Sequence, residues 1–128
     1  MENMIYLDTH VLVWLYSGDL SLFTKKAKRT IEAEDLFISP IVSLELQYLL
    51  EIKRILVCPE KIIKALSEEL GLKECKQDFK KIISESIKLS WTRDPFDRII
   101  VSQASTKNAR LLTKDASIIS NYKNAFWE

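Results

Sequence analysis

Apolar residues fall along this chain in two alternating rhythms. Met4-Ile5-Tyr6-Leu7 is an unbroken, β-prone run that stops at Asp8. Thr9-His10 then open a segment with helical periodicity, Val11-Leu12-Val13-Trp14-Leu15; the order is strand, acid, helix. The spacing predicts a second helix over about 24–34 and a short strand at Leu36-Phe37-Ile38. Ser39-Pro40 reads as an N-cap followed by proline at the first helical position, opening a helix to about Lys53. Pro59 starts another helix that ends before Gly71, and Leu72 to Cys75 reads as a short strand. A helix over about 77–89 is amphipathic through Phe79, Ile82, Ile83, Ser86 and Ile87, and packing into the core is expected to account for that face.

Asp94-Pro95 starts the next helix, predicted to run to about Thr106: the Asp side chain accepts an orphan N–H, and Pro95 has none to lose. Ala109 to Thr113 reads as a strand, Lys114-Asp115 leads into a short helix from Ala116, and Asn124 to Trp127 as a last strand. Strands alternating with helices imply an α/β fold with βα units, a mostly parallel sheet and right-handed crossovers. No repeat or second domain is visible.

Composition narrows this picture. At 128 residues, 47% of them hydrophobic, with two glycines and three prolines, the chain suits one helix-rich domain with a real core. No run approaches a membrane span and no signal peptide precedes the first strand, so a cytoplasmic location is expected. Cys58 and Cys75 lack paired spacing and are read as inert thiols. A net charge of +1 excludes a global positive field, so any nucleic-acid contact must be local. Lys25 to Arg29 and the lysines from Lys73 to Lys81 are the candidate patches. Leu49, Leu50 and Trp14 exceed what one small core readily hides, which points to an interface.

The acids carry the chemistry. Asp8 and Asp115 each follow a predicted strand, the place where α/β sheets gather functional groups. Glu45 has Ile41, Val42, Tyr48 and Leu49 as its helical neighbours, a buried-charge pattern. Asp97, in the first turn after Asp94, borders Ile100 and Val101. Two carboxylates about 5 Å apart repel by roughly 3 kcal/mol at an effective dielectric of 20, so four together call for a cation. Oxygen donors without a His or Cys cluster select a hard ion, and Mg²⁺, or Mn²⁺, matches best. Asp94 is read chiefly as an N-cap that can join such a site through water. His10 is assigned a cap or packing role. Thr9 and Thr113 either orient a metal-bound water or serve as ordinary strand-end and cap residues.

Taken in order, Leu7-Asp8-Thr9-His10, Glu45 in its helix, Asp94-Pro95-Phe96-Asp97-Arg98-Ile99-Ile100-Val101-Ser102-Gln103-Ala104 and Leu112-Thr113-Lys114-Asp115 resemble the PIN-domain ribonucleases, in particular VapC-type toxins. The resemblance implies a three-layer α/β/α fold, with residues 1–128 forming a single nuclease domain. It also implies Mg²⁺-dependent endoribonuclease activity on RNA, a homodimer, and a cognate antitoxin covering the acidic pocket. Carried over residue by residue, the catalytic and metal-binding acids are Asp8, Glu45, Asp97 and Asp115, with Glu45 as ligand or base. Nothing functional carries over to the segment from Cys58 to Ser90. A haloacid-dehalogenase-type phosphotransferase would need a second Asp where this chain has His10. The alternative to the enzyme is a metal-binding interaction module without nuclease activity.

Overall fold

The computed structural model describes residues 4–128. Its order is β1 (Met4–Leu7), α1 (Thr9–Ser17), α2 (Lys25–Ala33), β2 (Asp35–Ile38), α3 (Ile41–Glu51), α4 (Pro59–Leu70), β3 (Lys73–Glu74), α5 (Phe79–Ile87), α6 (Pro95–Thr106), β4 (Arg110–Leu112), α7 (Ala116–Asn121) and β5 (Ala125–Phe126). The strands form one sheet in the order β3-β2-β1-β4-β5, and every pairing among the described residues is parallel. Helices flank this sheet in the expected α/β/α manner. No helix among the described residues is long and apolar enough to cross a membrane.

The topology sets the location of the site. From β1 the chain steps outward to β2 and β3, then returns past β1 to β4 and β5. The direction reverses between β1 and β4, and a cleft opens beyond the carboxyl ends of strands at such a switch point. Central β1 is buried at every residue, which is why Met4 to Leu7 reads as an unbroken apolar run. Ile5, Tyr6, Leu12, Leu36, Ile38, Leu46, Ile100 and Leu111 form the largest part of the fully buried core.

Helix ends follow local chemistry, with small shifts. Pro40 sits at the cap of α3 in helical geometry, and Ser39 Oγ accepts from the N–H of Ile41, so the helix opens one residue later than expected. It ends at Glu51 because Lys53 adopts φ 62°, with Lys53 N–H donating to Leu50 O and Arg54 N–H to Leu49 O. This is the Schellman arrangement with lysine where glycine is usual, hence invisible to a search for glycine. Asp78 caps α5, so Gln77 lies outside the helix and its Nε2 donates to Tyr6 Oη and Gln103 O.

Two expectations are corrected. Core packing does not account for the apolar face of α5: Ile82 and Ser86 are buried, but Phe79 and Ile87 are 69% and 70% exposed. Leu49 belongs to the buried core, so it is not surface for an interface. Leu44 and Tyr48 of α3 are exposed instead. Of the cysteines, Cys75 is buried and Cys58 exposed.

Candidate active site

Four elements deliver the acids to the switch point. Asp8 leaves the end of β1 and caps α1: its Oδ1 accepts from Thr9 N–H at 2.8 Å, and its backbone N–H donates to Leu112 O of β4. Thr113, fully buried just beyond β4, donates from Oγ1 to Asp8 Oδ2 at 2.6 Å and accepts from Asp115 N–H at 3.1 Å. One hydroxyl thus ties both strand-end acids together. Asp115 caps α7 through Oδ1, which accepts from Ser117 and Ile118 N–H. Glu45 comes from the middle of α3 and is buried, and its Oε1 accepts from Thr9 Oγ1. Thr9 and Thr113 are therefore carboxylate positioners, each holding an acid that cannot be left unpaired away from water.

Asp94 caps α6, with Oδ1 accepting from Phe96 N–H at 2.8 Å and Asp97 N–H at 3.4 Å. Asp97 follows in the first turn, where the helix N-terminus favours a negative charge. Asp8, Glu45, Asp94, Asp97 and Asp115 all line one cleft of about 290 Å³, together with His10, Val11, Trp14 and Lys114. A larger cavity of about 500 Å³, walled by Leu44, Phe79, Ile82 and Ile99, lies away from these acids and is mainly apolar.

The electrostatics are those of crowded carboxylates. Burial pushes Asp97 up to about 7, and the charges of Asp94, Asp8, Asp115 and Glu45 push the same way. Burial raises Asp8 despite the opposing hydrogen bonds from Thr113 and Thr9 and the charge of His10. Glu45 is raised by burial and by Asp8 and Asp94, with the Thr9 hydroxyl and His10 opposing. Neither ion pair among the described residues, Lys88–Glu85 or Arg110–Glu34, involves these acids.

The donor set fits a hard cation. It is all oxygen, it is partly desolvated, and its charges are mutually unfavourable until something positive joins them. Among the described residues no three acid, His or Cys side chains are already closed up as a coordination cage. The carboxylates line an open cleft, consistent with an ion that keeps several waters.

A family model for the PIN domain matches residues 5–124. The chain belongs to the PIN-domain family. No curated protein matches the sequence. Among solved structures, this PIN domain is similar to a toxin–antitoxin complex from Klebsiella pneumoniae at 21% identity and TM-score 0.67, over 95% of each chain. It is also similar to VapBC2 from Rickettsia felis bound to a DNA fragment from their promoter, at 20% identity and TM-score 0.66, covering 98% of this chain and 97% of that one. VapBC-1 from nontypeable Haemophilus influenzae gives 18% identity and TM-score 0.57, covering 98% and 96%. At these identities the likeness speaks for the fold.

The cleft of this PIN domain also holds residues to which sequence reasoning gave no place in the site. Lys114 lies between Thr113 and Asp115 and presents an exposed cation at the rim. Its position next to a strand-end acid was the one available signal. His10 is exposed, with its ring 6.2 Å from that of Trp14, and Asp8 rather than His10 caps α1; in place of the expected cap or packing role, His10 lines the same cleft as the acids.

Proposed function

We propose that this PIN domain is a metal-dependent endoribonuclease, the VapC-type toxin of a type II toxin–antitoxin pair, with one nuclease domain and one active cleft per chain. The observation that carries this reading is the meeting of Asp8, Glu45, Asp97 and Asp115 around one cleft, where neither ion pair among the described residues involves them. Those four acids would hold Mg²⁺, or Mn²⁺ in its place, with Asp94 reaching it through water. The bound ion supplies Lewis-acid polarisation of the scissile phosphate and a water acidic enough to attack near neutral pH.

The chain's own residues do the rest. Thr113 and Thr9 keep Asp8 and Glu45 aimed into the cleft before substrate arrives. Glu45 Oε1 is committed to Thr9, which leaves Oε2 as the oxygen that takes a ligand position or a proton. Lys114 stands where it can meet a phosphate oxygen at the cleft rim.

An antitoxin would bind over the acidic cleft. The exposed apolar residues Leu44, Tyr48, Phe79 and Ile87 support a second copy of the chain as a further partner.

The deciding experiment is cleavage of a generic RNA by the purified chain with Mg²⁺, with Mn²⁺ and with EDTA. Cleavage that needs the ion and disappears in Glu45→Gln and Asp97→Asn supports the reading. Ion binding without cleavage would instead establish the metal-binding interaction module.

A further inference from the structure

The strand β5 is two residues long, too short to hold itself on the sheet. It reaches the site through a backbone bond: Phe126 O accepts from the N–H of Thr113 at 3.0 Å. Thr113 is fully buried, so that N–H needs its partner. The hydroxyl of the same residue is the donor that holds Asp8 Oδ2. What keeps β5 in place lies one residue further on. Trp127 is buried; its Nε1–H donates to Leu22 O at 3.1 Å, and its carbonyl oxygen accepts from Thr24 Oγ1 at 2.8 Å. Its ring packs on Phe23, centroids 5.0 Å apart, and edge-on against Trp14, 5.7 Å apart at 72°. Trp14 in turn lines the acidic cleft.

We propose that Trp127 is a positioning residue of the acidic cleft: by anchoring β5 to the start of α2 it fixes Thr113, and through Thr113 the Asp8 carboxylate, while its ring fixes Trp14. This rests on the nuclease reading of the acids. Trp127 is not among the residues that line the cleft, so it acts only through these neighbours. Two routes leave one side chain, the first through the main chain of Thr113 and the second through ring packing. Cleavage at a metal site has little tolerance for movement, since a misplacement of about 1 Å can cost about 100-fold in rate. A carboxylate oxygen held by one hydroxyl is only as fixed as the main chain that carries the hydroxyl. The other grip on β5 is weaker: Lys26 Nζ lies 4.9 Å from the centre of the Phe126 ring, but Lys26 is exposed. The buried indole, with its own hydrogen bond, is the stronger anchor.

The test compares wild type with Trp127→Leu, which keeps an apolar side chain but removes the ring and its donor, and with Trp127→Phe, which loses the donor and part of the ring. On a fluorophore-labelled oligoribonucleotide of mixed sequence with Mn²⁺, kcat of Trp127→Leu is expected to fall about 10- to 100-fold with KM little changed, and Trp127→Phe should lie between the two. In EDTA, nuclear magnetic resonance should show the Thr113 amide of Trp127→Leu losing hydrogen-exchange protection relative to the Leu46 amide of α3. The Trp14 indole resonance should shift while that of Trp91 stays. Leu66→Ala is the control, because Leu66 is buried in α4 and does not line the cleft. It should lower Tm and leave kcat and the relative protection of Thr113 unchanged. Should Trp127→Leu fail to fold, Trp127→Phe decides by the same readouts. Wild-type kcat and Thr113 protection in the folded Trp127 variants, a rise in KM alone, or an equal loss of kcat in Leu66→Ala would overturn the positioning role while leaving the nuclease reading standing. A wild-type chain that cuts no RNA with Mg²⁺ or Mn²⁺ would remove both.

Discussion

The Thr113 hydroxyl donates to Asp8 Oδ2 at 2.6 Å across 105 residues of chain, and accepts from the backbone of Asp115 at the same time. It joins the ends of β1 and β4 at the point where the sheet reverses direction. Thr113→Val keeps the shape and removes the donor, which leaves a buried carboxylate oxygen unsatisfied. A loss of about 1–3 kcal/mol in unfolding free energy at neutral pH is expected by urea titration. Because that hydrogen bond lowers the Asp8 pKa, its removal should also move Asp8 further up, seen by carboxyl NMR titration. Thr113→Ser should restore both. A Val variant as stable as wild type would show that the hydroxyl carries no weight.

Metal-free stability should fall as pH rises. Asp97 is pushed up to about 7 from an ordinary value of 3.8, so over that interval the folded chain binds more protons than the unfolded one. The associated stability is complete below the unfolded value and is lost as pH climbs through about 7. Raised Asp8 and Glu45 act in the same direction. Asp97 is partly exposed, so solvent screening reduces its share to on the order of 1 kcal/mol. In EDTA, Tm should be higher near pH 5 than near pH 8, with a flatter profile in Asp97→Asn. A wild-type profile that climbs toward pH 8 would contradict the crowding described here.

Divalent ions should reverse that slope. Binding needs the deprotonated carboxylates, so stabilisation by Mg²⁺ or Mn²⁺ grows with pH. Calorimetric titration at pH 8 should detect the ion with wild type and a weaker response with Asp8→Asn. Equal affinity in the two proteins would remove the cleft as the binding site.

Glu45→Gln separates chemistry from stability. It relieves repulsion with Asp8 and Asp94 and keeps an oxygen for the Thr9 hydroxyl. RNA cleavage should be lost while metal-free stability stays level or improves. A drop of several kcal/mol would mean that the carboxylate is a structural partner in the fold.

Asp94 and Asp97 should part company under the same substitution. Asp94 Oδ1 serves two backbone N–H groups, a task asparagine also performs, so Asp94→Asn should retain most of the activity and Asp94→Ala should cost about 1 kcal/mol. No capping bond is made by the Asp97 carboxylate, and Asp97→Asn should abolish cleavage with the fold intact, as judged by circular dichroism. If Asp94→Asn were equally inactive, Asp94 would have to be counted as a fifth acid of the metal site.

Much of this architecture is written locally. The run Met4 to Leu7, the Asp94-Pro95 helix start and the helix-stopping Gly71 each specify an element through contacts within a few residues, so pattern alone places them to within a residue or two. Glu45 was legible as a buried charge because its helical neighbours are local as well. Other features depend on elements far apart in sequence. The strand order that brings Asp8 beside Thr113 is set by long-range pairing, and no local pattern encodes which hydroxyl will meet which acid. Phe79 and Ile87 have the helical spacing of core residues, yet both stay exposed among the described residues. Trp14 reads in the sequence as surplus apolar surface for an interface, whereas in the fold its ring packs against Phe23 and Trp127 and lines the acidic cleft. Sequence by itself determined the elements and where along them the acids fall, because helix periodicity, capping and charge placement act over a turn or two. Which side chains share the cleft, and which apolar faces stay open to a partner, was decided by the tertiary structure, because strand order and side-chain coverage depend on contacts between distant segments.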